Sequence, residues 1–115
     1  MNVTIYHNPR CTKSRETLAL LKENGIEPTI VEYLNKPPSV QTLKEIVKAL
    51  GVKPREIIRT KEDAYKQCGL DDKTLTDNQI IEILVKNPIL IERPIVCVGK
   101  KAAVGRPPEN VLKIL

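Results

Sequence analysis

Apolar positions along this chain alternate between two spacings, and the switches mark its elements. Val3-Thr4-Ile5-Tyr6 is a short strand-like run. From about Thr12 to Asn24 the spacing turns helical, with Leu18, Leu20 and Leu21 on or near the buried face and Gly25 as the C′ stop. Thr29-Ile30-Val31-Glu32-Tyr33 predicts a second strand, parallel to the first through a right-handed crossover. Lys36-Pro37-Pro38 breaks the chain. Ser39 then caps a helix whose apolar positions Val40, Leu43, Ile46, Val47 and Leu50 follow helical spacing up to Gly51.

The middle of the chain predicts helices only: a short one from Pro54 through Arg59, another over Glu62 to Cys68, and a third behind the capping-box pattern Thr76-Asp77-Asn78-Gln79. The third carries Ile80, Ile81, Ile83 and Leu84 and ends at Asn87-Pro88. Ile95-Val96-Cys97-Val98 and Lys101-Ala102-Ala103-Val104 flank Gly99-Lys100 and predict an antiparallel hairpin. Gly105-Arg106-Pro107-Pro108 leads into a last helix, Glu109 to Leu115. The order β-α-β, helical block, β-β-α is that of an α/β thioredoxin-like fold with a helical insertion at about residues 39–88, the whole of 1–115 forming one domain. That arrangement sets a proline before the hairpin beside the loop after the first strand. Pro94 is that proline, and a cis Arg93–Pro94 bond is expected from the arrangement, since the base frequency at X–Pro is only about 5–6%.

Composition narrows the function. The chain has no Trp or Phe, and three tyrosines supply its aromatic rings. A base-stacking platform for single-stranded nucleic acid is therefore not expected, and the net charge of +5 suits a small anion equally well. No apolar run approaches the roughly 20 residues of a membrane span. The opening residues lack the basic-then-apolar prelude of a signal peptide. Three cysteines without Cys-x-x-Cys spacing make no disulfide framework, and a reducing cytoplasm is the natural setting.

Cys11 stands out chemically. It falls after His7-Asn8-Pro9-Arg10, where a helix begins, and so faces unpaired backbone N–H groups and the positive end of the helix dipole. Arg10, Lys13 and Arg15 add positive charge. Such placements lower a cysteine pKa from about 8.5 to roughly 3.5–7.5, which makes Cys11 a candidate nucleophile. Cys97, inside an apolar strand, reads as core or sheet face, and nothing near Cys68 activates it. Ser14 completes a Cys-x-x-Ser spacing; it donates a hydrogen bond to Cys11 or serves as a helix-capping serine, and it cannot resolve a disulfide. His7, the one histidine, reads as a surface loop residue or as part of the site, and with three scattered cysteines it makes no zinc set. Arg93 and Arg106 each precede a proline, which restricts their backbone, and guanidinium groups match tetrahedral oxyanions. Arg59, Arg93 and Arg106 each read either as solvated surface cations or as anion ligands. The Cys11-to-Arg15 spacing is too short for a Cys-x5-Arg phosphate loop.

Three blocks in order, Tyr6-His7-Asn8-Pro9-x-Cys11-x-x-Ser14-Arg15, Asn87-Pro88-Ile89-Leu90-Ile91-x-Arg93-Pro94-Ile95-Val96 and Arg106-Pro107, resemble the glutaredoxin-dependent arsenate reductase (ArsC) family nearly end to end. The resemblance implies that Cys11 attacks arsenate, that Arg59, Arg93 and Arg106 bind the oxyanion, and that His7 and Ser14 support the thiolate. It further implies glutathione as co-substrate, a Cys11–glutathione mixed disulfide reduced by glutaredoxin, a monomer, and no bound metal, flavin or nicotinamide. Thr12-Lys13 stands where well-characterised members have Gly-Thr, so the chain is similar to a subgroup with a Cys-x-Lys-Ser loop. Two other readings share the fold. One is a thiol regulator of the Spx kind that binds RNA polymerase, which commonly carries Cys-x-x-Cys. The other is a glutathione-linked oxidoreductase with a different substrate.

Magnitudes indicate where the rate would come from. Lowering the Cys11 pKa from about 8.5 to about 6.5 raises the thiolate fraction at pH 7 roughly 25-fold. The same shift costs roughly tenfold in nucleophilicity when β is near 0.5. The remaining gain is about two- to threefold, so the arginines carry most of the burden, by stabilising charge on the oxyanion.

Overall fold

The computed structural model describes residues 2–115. Its contacts divide the chain into two compact units, Met1–Lys36 with Arg93–Leu115, and Pro37–Glu92. The second contains the segment expected as a helical insertion.

The first unit is built on a four-stranded sheet of order β2-β1-β3-β4. β1 (Val3–Tyr6) pairs in parallel with β2 (Thr29–Val31) and antiparallel with β3 (Ile95–Val98), which pairs antiparallel with β4 (Lys101–Val104). This is the thioredoxin-like arrangement. β2 stops at Val31 rather than reaching Tyr33, because β1 ends where Tyr6 faces Val31. One further bond, His7 N–H to the Val31 carbonyl at 2.8 Å, closes the ladder.

α1 (Thr12–Glu23) supplies the crossover and ends as Gly25 adopts a left-handed φ of 77°. The core of this unit is Val3, Ile5, Leu21, Val96 and Val111, with Leu18, Leu20 and Ile26 packed against it. The buried positions of α1 are Ser14, Thr17 and Leu21. The expected leucines thus lie on or near the buried face, and the first turns add two buried polar side chains, Ser14 and Thr17, to it. The C-terminal segment is wound as a 3₁₀ helix, Pro108–Ile114, in place of the expected Glu109–Leu115 helix.

In the second unit α2 (Val40–Leu50) is capped by Ser39, whose Oγ accepts the Thr42 N–H at 3.1 Å, and it ends on left-handed Gly51. α3 (Ala64–Gln67) is one turn, shorter than the expected Glu62–Cys68 helix, with no side-chain cap at Asp63. α4 (Asp77–Lys86) opens with the capping box, Gln79 N–H to Thr76 Oγ1 at 3.2 Å and Thr76 N–H to Gln79 Oε1 at 2.8 Å. It packs against α2 and against two 3₁₀ turns, Pro54–Ile57 and Pro88–Leu90. The first of these stops short of Arg59 because Ile58 leaves it to bridge Ile91. Leu43, Ile46, Val47, Ile57, Ile80, Ile81, Leu84 and Leu90 are the buried apolar residues of this unit's helical segments. Among the described residues no helix is long and apolar enough to cross a membrane.

Candidate active site

The loop between β1 and α1 is a closed turn held by its own polar groups. The Asn8 carbonyl accepts the Cys11 N–H at 3.0 Å, and Asn8 Oδ1 accepts the Arg10 N–H at 3.0 Å. The second bond is a turn in which the asparagine side chain mimics backbone. The Asn8 N–H donates to Ser14 Oγ at 3.0 Å, and Arg15 donates to the Pro9 carbonyl at 2.9 Å and to Thr12 Oγ1 at 3.3 Å. Arg15 thus closes the loop; its cation is turned toward backbone. Lys13 pairs with Glu16 at 3.6 Å on the half-exposed face of α1. Asn8 and Arg15 are loop-forming residues whose roles the sequence reading did not assign, although Asn before Pro is itself a turn signal.

This loop makes Cys11 the N-cap of α1, in extended conformation, with its carbonyl accepting the Arg15 N–H at 3.0 Å. An N-cap is where Ser or Asp ordinarily accepts an orphan N–H. No acidic residue lies in the first turn of α1, so its own sequence does not neutralise the positive end of the helix dipole. The thiol is partly buried. Burial disfavours its ionised form. Against that act the Ser14 backbone N–H, a hydrogen bond from the Arg93 side chain, and the charges of Arg93 and Arg106; together they hold the Cys11 pKa below its ordinary value. The sulfur makes no cap bond of ordinary geometry, yet the Ser14 N–H is close enough to favour the thiolate.

Both arginines reach the sulfur from the second half of the unit. Arg93 precedes β3 through a cis bond to Pro94, and Arg106 follows β4 and precedes Pro107 through another cis bond, which the sequence reading did not foresee. Nη2 of Arg106 donates to Cys11 Sγ at 3.5 Å while its Nε donates to the Arg93 carbonyl at 2.9 Å. Nε and Nη1 of Arg93 are buried. The arrangement presents an electron-rich sulfur and two guanidinium groups in one place, the pairing a tetrahedral oxyanion requires for both binding and attack.

His7 is not a surface residue: it is 6% exposed. Its Nδ1 shares a 2.6 Å hydrogen bond with Ser14 Oγ, and Ser14 is fully buried. Burial lowers the His7 pKa, with Glu32 opposing and Arg15 assisting, so the ring is neutral near pH 7. The Ser14 hydroxyl is therefore occupied by His7 and by the Asn8 N–H, and the group of Ser14 that acts on the sulfur is its backbone N–H. His7 and Ser14 brace the loop.

Arg59 belongs to the second unit. Its Nη1 pairs with Glu92 at 3.0 Å and its Nε with Glu62 at 3.5 Å, so two carboxylates hold a guanidinium expected to bind an anion. Glu92 lies 33 positions from Arg59, a pairing that no local spacing encodes. The other thiols differ from Cys11. Cys97 is partly buried in β3, and burial pushes its pKa up to about 11. Cys68 is partly buried beyond α3. Among the described residues no group of three or more His, Cys, Asp or Glu is placed to hold a metal ion.

The sequence of this chain matches the ArsC family over residues 6–114. It is 51% identical to an arsenate reductase of Haemophilus influenzae, with all of both chains covered. It is 54% identical to the uncharacterized protein YfgD of Escherichia coli K12, covering 98% of this chain and 96% of the other. The solved structure of an arsenate reductase from Vibrio cholerae superposes with a TM-score of 0.97 at 49% identity, covering 100% of this chain and 98% of that one.

Proposed function

We propose that this chain, which belongs to the ArsC family, reduces arsenate to arsenite through the Cys11 thiolate, with glutathione as co-substrate and glutaredoxin as the partner that regenerates it. The observation that carries the reading is the Cys11 sulfur at an uncompensated helix N-terminus with Arg106 Nη2 at 3.5 Å and Arg93 hydrogen-bonded to it.

The chemistry divides into three steps. Arg93 and Arg106 hold the oxyanion, and the Cys11 thiolate attacks arsenic; a sulfur–arsenic bond forms as one arsenate oxygen, protonated, leaves as water. The glutathione thiol then forms a disulfide with the Cys11 sulfur. The sulfur–arsenic bond breaks and its electron pair stays on arsenic, which falls from the +5 to the +3 state and leaves as arsenite. Glutaredoxin finally takes glutathione from Cys11 by thiol–disulfide exchange.

An external thiol suits this site. Ser14 cannot resolve a disulfide, and Cys97, with its pKa pushed up to about 11, is a poor thiolate source at neutral pH. Arg59 is named as a third oxyanion ligand by the family resemblance alone; within its own unit Glu62 and Glu92 hold its guanidinium. Three free cysteines fit a reducing compartment such as the cytoplasm. The half-exposed Lys13–Glu16 pair leaves Thr12-Lys13 at the rim of the loop, where a Cys-x-Lys-Ser subgroup would differ in how anions approach.

The test is arsenate-dependent NADPH oxidation coupled through glutathione, glutathione reductase and glutaredoxin. Turnover that needs arsenate, glutathione and glutaredoxin together is expected. A wild-type chain that gives none, with its thiols reduced, refutes the proposal.

A further inference from the structure

We infer that Gly105, Thr17 and Asn110 are positioning residues that fix Arg106 against the Cys11 sulfur. Arg106 is an exposed side chain on the segment leaving β4, where many rotamers are open to a long cation. It ends on sulfur because its backbone is pinned on both sides. The Asn110 Nδ2 donates to the Arg106 carbonyl at 2.8 Å, and the Arg106 N–H donates to the Val104 carbonyl at 2.9 Å. The Gly105 N–H donates to the Pro94 carbonyl at 2.9 Å, which ties this segment to the one that carries Arg93.

Gly105 is unlike the other glycines of the chain. Gly25, Gly51, Gly69 and Gly99 have positive φ and open space where a Cβ would stand. Gly105 has no positive φ, so what it supplies is close approach. A Cβ there would run into Thr17 Oγ1 and lie 2.8 Å from Pro94 Cγ and 3.1 Å from Thr17 Cγ2. Thr17 is fully buried, and its hydroxyl donates to the Lys13 carbonyl at 2.8 Å, which holds it to the first turns of α1. The helix that carries Cys11 at its N-cap therefore also supplies the wall against which the Arg106 segment rests. α1 acts as a ruler between sulfur and guanidinium, and the missing side chain of Gly105 sets its length.

The inference rests on Cys11 as the reactive thiol and not on arsenate, so its test contains no arsenate. Iodoacetamide labelling of the Cys11 peptide is followed by mass spectrometry from pH 5 to 10 in wild type, Arg106→Ala, Gly105→Ala, Asn110→Leu and the double variant Gly105→Ala/Thr17→Ala. Removing the Arg106 cation is expected to raise the apparent Cys11 pKa by about one pH unit. Gly105→Ala and Asn110→Leu are expected to raise it by roughly half of that or more, although both retain every charge. Adding Thr17→Ala to Gly105→Ala is expected to restore part of the wild-type profile by removing two of the three atoms the new Cβ meets, with Pro94 Cγ remaining. A general loss of packing would lower the melting temperature without giving that recovery. If Gly105→Ala does not fold, Asn110→Leu carries the test, because it adds no atom to the crowded contact. Wild-type profiles in both single variants, with a shifted Arg106→Ala, overturn the inference; an unshifted Arg106→Ala overturns it too. Failure of arsenate turnover alone leaves it standing.

Discussion

Cys11 and Cys97 belong to the same compact unit and differ in what their sulfur meets. Cys97 stands mid-strand, opposite Thr4 of β1 and Ala102 of β4, with its backbone committed to the sheet. Burial there acts unopposed and raises its pKa to about 11. Cys11 is also penalised by burial, but the Ser14 N–H and the Arg93 and Arg106 guanidinium groups outweigh the penalty. The contrast teaches that desolvation is common to both sites and that reactivity is made by oriented donors. A helix end leaves its first N–H groups free to act, whereas a paired strand has spent them on its neighbours.

The largest expected effect comes from removing one of those donors. Arg93→Ala should lower kcat/KM for arsenate by about 10²–10³, the usual cost of losing one oxyanion-stabilising group; steady-state assays against arsenate concentration measure it. A loss below tenfold would mean that the arginine is not a ligand of the reacting anion. Next comes the sulfur contrast itself. With a pKa of about 11, Cys97 is about 10⁻⁴ ionised at pH 7. Cys11 should be alkylated by iodoacetamide at least about 100-fold faster, and comparable rates would erase the distinction.

Arg59→Ala sharpens the comparison in another direction. Because Glu62 and Glu92 already share this guanidinium, its loss should cost about tenfold or less, mostly in KM. A loss equal to that of Arg93→Ala would show that the carboxylates release it fully to substrate. The smallest effect is on stability. His7 resists protonation in the fold, while the unfolded chain takes up a proton near pH 6.5. The unfolded state then binds more protons, so stability should fall as pH drops below 6.5. Denaturant melts of wild type and His7→Gln between pH 7 and 5 should show a shallower pH dependence in the variant.

Local signals carried much of the fold. Ser39 and the Thr76–Gln79 box announced α2 and α4 because capping is completed within three residues. The hairpin around Gly99 and the parallel pairing of β1 with β2 followed from short β-branched runs and a helix between strands. Cys11 was legible as a helix N-terminus for the same reason. What stayed hidden depends on contacts between distant residues. Arg59 meets Glu92 across 33 positions and Arg106 meets Cys11 across 95, and no spacing rule encodes either. The burial of His7 and the turning of the Ser14 hydroxyl toward it were hidden as well, since a loop histidine ordinarily faces solvent. Gly105 looked like a lead-in to a proline pair and proved to be a close contact with α1.

The proposal that Cys11 alone among the three thiols does the chemistry is tested most directly by trapping its product. The reduced chain is incubated with glutathione, with and without arsenate, in the absence of glutaredoxin, and each cysteine peptide is examined by mass spectrometry. The expected result is a glutathione mixed disulfide on Cys11 that forms only with arsenate, while Cys68 and Cys97 stay free. An adduct on either of those two, one on Cys11 that forms equally without arsenate, or none at all would contradict it.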